Sequence, residues 1–378
     1  MKKITLYLAL FIFLSSTTFI SYFTFFGIKT KSLNNQIEDS INKFDKDLTI
    51  KIDYVQLYLN LKKLNIQLKT QSPKIIFNNT KIEIESIKTL ISIKSFFRGE
   101  FALKNLNIST KSTKIEKIIS FIRSLDSSPQ LYILQNRVKN GYLVADIKIN
   151  FNEDGKLKDD YEVKGFIKDG KIDLISGYDL NKVNFLFNIK NNRYNLNDIS
   201  FSLNELNFYS SKINLTNNKK NFFVEGNLQN KNLELSNEEI LSIKNLHPQF
   251  YRIENINFIS DNNFSFKINN IFKISELFFN SKIILNNLFF RNEKKGKYFF
   301  PEINNEIYLK DHDINLTFKD NIYFIEGSGN LLLQEQIDEI KYSINNQNKF
   351  LHFKTNIKLN KNEFFIDFLN YKKDKNLS

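Results

Sequence analysis

The chain has 378 residues, a formal net charge of +13, 38 phenylalanines, three histidines and no cysteine. Without cysteine there are no disulfides, no thiolate metal site and no cysteine nucleophile. The surplus of lysine does not indicate nucleic acid, because the lysines are spread along the chain and a nucleic-acid footprint is a clustered stripe.

The first element is an uncharged apolar block from Ile4 to Ile28, flanked by Lys2 and Lys3 before it and by Lys29 and Lys31 after it. As a helix it is about 37 Å long at 1.5 Å per residue, enough to cross a hydrocarbon core of about 30 Å with some tilt. A cleaved signal peptide is the rival, but apolar residues resume after Ser15–Thr18 with Phe19, Ile20, Tyr22, Phe23, Phe25 and Phe26. That is too long for a signal-peptide core. We therefore expect residues 1–31 to be an uncleaved anchor, inserted N-in, with the rest of the chain exported to a bacterial periplasm.

A helix is expected next, from Leu33, Ile37, Ile41, Phe44 and Leu48 at spacings of three and four. Strands follow. Ile50 and Ile52 alternate with polar residues, the phase slips at Tyr54-Val55 as at a bulge, and Leu57, Leu59 and Leu61 continue. Ile82, Ile84, Ile91 and Ile93 lead to an expected turn at Phe96-Phe97-Arg98-Gly99. A second helix is expected from Thr113, which with Glu116 forms a capping box, and Pro129 is expected to end that region.

From Gly141 onward the period is two. Asn152–Gly155, Asp169-Gly170 and Asn191-Asn192 have the composition of hairpin turns. A further capping box, Ser236 with Glu239, opens a short helix, and more alternating strands run to Leu359. The expected fold class is mainly β: an N-terminal transmembrane helix, then an elongated, curved antiparallel β-sheet groove with a few short helices. The expected segments are the anchor 1–31, an N-terminal region 32–135, and strand units over 136–378.

Each strand has one apolar and one polar face. Val163, Ile167, Phe185, Phe187, Phe201, Leu203, Phe222 and Val224 fall on the apolar face, and Lys164, Lys168, Asn184, Asn188 and Ser202 on the other. The eight apolar residues are the candidate lining of a lipid groove. The same pattern is also what a dry core requires.

Chemistry-bearing motifs are missing. His247, His312 and His352 are far apart, and Asp311-His312-Asp313 is expected to be a polar turn between strands. Gly327-Ser328-Gly329 lacks the third glycine and the helix of a dinucleotide loop. We expect no enzyme, no cofactor and no metal.

The stretch at 81–110, with Ile91, Ile93, Phe96, Phe97, Gly99, Phe101, Leu103, Leu106 and Ile108 in place, resembles the N-terminal region of the AsmA-like family. The stretch at 140–172 resembles the repeating strand units of its larger members, the YhdP and TamB type. The resemblance implies an inner-membrane protein with a periplasmic β-groove for phospholipid transport and outer-membrane biogenesis. Its partners would be the membrane, phospholipid acyl chains and other envelope proteins, and not nucleic acid. The pattern is also consistent with an anchored scaffold or assembly factor that has a dry β core, and with a short member or an N-terminal portion of a longer chain.

Overall fold

A computed structural model describes residues 2–375 apart from 36, 39–47, 63, 78–79, 94–102, 126–127, 153–156, 175–177, 204–205, 219–220, 243–252, 270–272, 293–298, 301, 348–349 and 361. The protein is mainly β, and the sheet is antiparallel and does not close. The chain divides into two units, residues 1–196 and 197–378.

The first unit opens with helix α1 (Lys2–Phe25), apolar and exposed except in its last turn, where Phe23 and Thr24 are half-buried. Residues 3–25 are long and apolar enough to cross a membrane. Thr17 and Thr18 each donate their hydroxyl to the carbonyl four residues back, at 2.8 Å, which satisfies these polar groups inside the helix. Gly27 ends the helix with φ +69°, a left-handed cap. Strand β1 (Ile28–Thr30) starts at the next residue, so no linker separates helix from sheet.

Next come β2 (Leu48–Lys51), β3 (Val55–Asn60), β4 (Asn65–Thr70), β5 (Lys74–Phe77), β6 (Thr80–Ser92), β7 (Leu103–Thr110) and β8 (Thr113–Lys114). The phase slip at Tyr54-Val55 is not a bulge. It is the break between β2, which pairs with β5, and β3, which pairs with β1 and β4. The expected helix over 33–48 and the turn at 96–99 lie largely or wholly outside the described residues.

Helix α2 (Ile115–Leu125) lies where expected, but Thr113 does not form the capping box: it belongs to β8, and its hydroxyl donates to the Lys111 carbonyl at 3.0 Å. Pro129 begins a helix rather than ending a region. α3 (Pro129–Arg137) has it in the first turn, where its missing N–H costs nothing and its fixed φ suits the helix.

The unit continues with β9 (Val138–Phe151), β10 (Leu157–Asp173), β11 (Asp179–Lys190) and the start of β12 (Arg193–Leu203). β9 pairs with both β7 and β10, which ties residues 138–196 to the strands before them. Asp169-Gly170 is not a hairpin turn. Asp169 has φ +53° inside β10, and its N–H donates to the Asn184 side chain at 3.0 Å in place of a ladder partner. The result is a bulge, and the chain turns later, where Leu174 N–H donates to the Tyr178 carbonyl at 2.7 Å. Asn191-Asn192 is a hairpin turn as expected, with φ of 48° and 62°.

The second unit takes the rest of β12, then β13 (Leu206–Asn217), β14 (Asn221–Ser236), α4 (Asn237–Ser242), β15 (Ile253–Asn269), β16 (Ile274–Arg291), β17 (Glu306–Lys319), β18 (Ile322–Leu332), β19 (Ile337–Gln347) and β20 (Phe350–Lys358), with a small hairpin of β21 (Phe364–Ile366) and β22 (Tyr371–Lys373). From β13 to β20 each strand pairs with the next. The Ser236–Glu239 capping box forms: the Glu239 carboxylate accepts Ser236 N–H at 2.7 Å and its hydroxyl at 2.9 Å. Asp198, Asn232, Glu276 and Asp311 have positive φ inside strands. At Asn232 and Asp311 the register shifts, so the residues on one face change parity along the strand.

Candidate functional site

In the first unit the register places Val163 opposite Ile189, Gly165 opposite Phe187, and Ile167 opposite Phe185. These four candidate residues therefore share one face. Val163 also extends a row that runs Ile87–Ile108–Ile147–Val163–Ile189 across β6, β7, β9, β10 and β11, all half-buried. Ile87 packs on the buried cluster of Ile50, Val55, Leu57, Ile66 and Ile91, and Phe23 of α1 packs on the same cluster. An apolar track thus begins at α1 and crosses five strands. Phe187 is buried at 9% exposure, while Phe185 is half-buried with its ring edge-on to it at 6.3 Å.

In the second unit Phe201 stacks on Phe208 at 5.5 Å. Val224 lies opposite Leu215 and Phe266, and Phe222 opposite Ile268. Leu203 is half-buried two residues from Phe201, hence on its face. The eight candidates thus fall four and four, each set on its own unit's apolar face.

The opposite face is less polar than expected. Lys164 and Lys168 are exposed, but Phe166 and Leu186 lie opposite each other there, 40% and 46% exposed. Ser202 is buried, its hydroxyl donating to Asn207 at 2.6 Å.

The apolar face of the second unit has three bands. Toward one end of the strands is an aromatic row that period-two reading did not single out: Phe264, Phe279, Phe318 and Tyr323, directly opposite one another on β15 to β18 and all half-buried. Toward the other end lie two aliphatic cores, around Leu233, Leu235 and Ile240, and around Ile307, Leu331 and Leu333.

Between them is a polar band, which period-two reading also did not single out. Ser281 donates to Asn262 at 2.6 Å. The Asn262 amide donates to the Leu228 carbonyl at 2.7 Å and to Ser260 at 2.9 Å. Ser260 in turn donates to Asn230. All four side chains are buried. Their mutual hydrogen bonds remove the cost of burying polar groups.

The Asp-His-Asp cluster lies inside β17, with its bulge at Asp311, and is not a turn between strands. His312 is fully buried and both ring nitrogens are occupied: one meets the Asn330 carbonyl at 3.0 Å and the other Tyr342 Oη at 3.4 Å. Burial holds the imidazole below its ordinary pKa, opposed by the Asn330 carbonyl and Asp311, and burial pushes the Tyr342 phenol up. The glycine pair explains how this fits. A Cβ on Gly329 would run into the His312 ring, and one on Gly327 into the Tyr342 ring. Both are places where aromatic rings need the space. Among the described residues no group of three or more His, Asp or Glu is placed to hold a metal ion.

No family model, no curated protein and no solved structure matches this chain.

Proposed function

We propose that this chain is an envelope protein of a bacterial inner membrane, anchored once by α1 with its sheet in the periplasm, which carries phospholipid along the sheet's apolar face in support of outer-membrane biogenesis. The observation that carries this reading is the continuity from Phe23 of α1 into the row Ile87–Ile108–Ile147–Val163–Ile189. Five strands spaced by about 4.8 Å make a track of about 19 Å. An acyl chain leaving the bilayer beside α1 meets half-buried aliphatic side chains at every strand. Each CH₂ it covers is worth about 0.8 kcal/mol, so partial cover holds a lipid while leaving it free to slide. The half-buried aromatic row of the second unit offers the same kind of surface. No catalytic step is part of this reading.

The test is lipid content. Full chain purified in detergent is extracted with organic solvent and its phospholipid measured by mass spectrometry, beside a variant with Val163→Glu. The reading requires less phospholipid per protein in a variant that stays folded; equal content in both would remove the support.

A second reading, an anchored scaffold that docks envelope proteins and carries no lipid, is favoured by one observation. On β20, which among the described residues pairs only with β19, Phe350, Leu351 and Phe353 are 61–70% exposed. An edge strand with exposed apolar side chains is a template for strand addition.

A further inference from the structure

The lysines that are scattered in sequence are gathered by the register. On the face opposite the apolar track, Lys69 of β4 lies directly across from Lys88 of β6, and Asn107 links Lys88 to Lys148 of β9 in the same cross-strand row. Lys62, in the turn after β3, joins Lys69 and Lys88 in lining an open concavity of about 630 Å³. A second concavity of about 420 Å³ adjoins it at Lys88 and reaches Lys148. Like charges directly opposite in a sheet destabilise it. Here the described residues supply no ion-pair partner to Lys62, Lys69 or Lys88. At the far end Lys148 faces Glu162, which is itself paired to Lys164 at 2.7 Å. The uncompensated centre is therefore Lys62, Lys69 and Lys88.

Its position indicates what would compensate it. Thr24, in the last turn of α1, lines the same concavity, and so does Tyr58 of β3. The Gln56 amide on the same strand donates to the Phe26 carbonyl at 2.8 Å, which pins the helix end to this face. We infer that Lys62, Lys69 and Lys88 form a binding site for the phosphate of an anionic phospholipid headgroup, taken from the leaflet at which α1 leaves the membrane. This rests on reading α1 as a membrane anchor. With α1 in the bilayer, the three ammonium groups stand at the depth of the headgroups, where basic side chains are attracted to anionic lipid. The polar neighbours Asn60 and Gln67 are uncharged, so they do not oppose an anion. The site lies on the other face of the sheet from the apolar track, so the headgroup here is a fixed ligand that seats the protein on the membrane.

The full chain is reconstituted into bilayers of phosphatidylcholine with phosphatidylglycerol, released, and its retained lipids identified by native mass spectrometry. Wild type should retain phosphatidylglycerol in preference to phosphatidylcholine. K69Q/K88Q should weaken that retention about fivefold for each lysine removed. A control with K282Q, K310Q and K341Q, three exposed lysines of the second unit, should match wild type. Circular dichroism confirms that the variants are folded. Equal retention in wild type and K69Q/K88Q, or loss in the control as well, overturns the site. Complete displacement of phosphatidylglycerol by inorganic phosphate makes it a free-anion site and overturns the lipid assignment. A wild-type chain that incorporates into the bilayers without selecting phosphatidylglycerol overturns this inference and leaves the anchor standing; a chain that does not incorporate overturns the anchor itself.

Discussion

Phe279 on β16 lies directly opposite Phe264 on β15, and both rings are half-buried rather than enclosed. Six residues along the same strand and on the same face, Leu285 is 3% exposed. One face of one strand thus contains both an enclosed position and a partly open one. That contrast separates a surface available to a ligand from a surface consumed by folding.

Leu285→Glu buries an unpaired carboxylate and should destabilise the protein by several kcal/mol. Phe279→Glu can keep its charge hydrated at the open side and should cost clearly less. Denaturant midpoints of the two variants measure the difference, and equal losses would mean that the aromatic row is ordinary core.

In the first unit the choice of residue matters in the same way. Phe187 is buried opposite Gly165, so Phe187→Glu should destabilise whether or not lipid binds. Phe185, half-buried beside it, is the informative position. Phe185→Glu should leave thermal melting within a few degrees of wild type while lowering co-purified phospholipid. A Phe185→Glu variant that melts as early as Phe187→Glu would assign this face to a dry core.

Gly329 accommodates the His312 ring. Gly329→Ala forces a methyl group into that ring and should cost about 1–3 kcal/mol, the range of core overpacking. Ser328→Ala, one residue away on the other face of β18, should cost much less. A neutral Gly329→Ala would show that the β17–β18 pair yields at this point.

His312 also predicts a pH dependence. Its folded pKa is below the unfolded value of about 6.5. The unfolded chain therefore takes up the proton first. The stability contributed by the neutral, buried imidazole is fully present above about pH 6.5 and is lost as pH falls from there toward the lower folded pKa. Urea unfolding of wild type should weaken across that interval more steeply than that of His312→Gln. Parallel profiles would mean that His312 is not the titrating group.

The strand content and the apolar N-terminal helix were legible because period-two alternation follows from one buried face and because a long uncharged apolar block has the length of a spanning helix. Asn191-Asn192 and the Ser236–Glu239 capping box were legible for a similar reason: each is complete within a few consecutive residues. The Asp169-Gly170 bulge was not. Its composition is that of a hairpin turn, and only Asn184 on the next strand, which accepts the Asp169 N–H, makes the strand continue. The aromatic row and the lysine row were hidden because residues far apart in sequence, such as Lys69 and Lys88 or Phe279 and Phe318, become neighbours only through strand pairing, which the alternation of one strand does not specify. The polar band was hidden because Asn230, Ser260, Asn262 and Ser281 read as solvated residues until their partners are known.

The proposed function requires phospholipid on the apolar face. The most direct measurement is site-specific photocrosslinking in membranes of growing cells, with a photoreactive amino acid in place of Phe279 on that face or of Ile284, which is 49% exposed and five residues on, on the opposite face. Phospholipid adducts are expected at position 279 and few or none at 284. Absence of adducts at 279, or equal adducts at both positions, would contradict the proposed function.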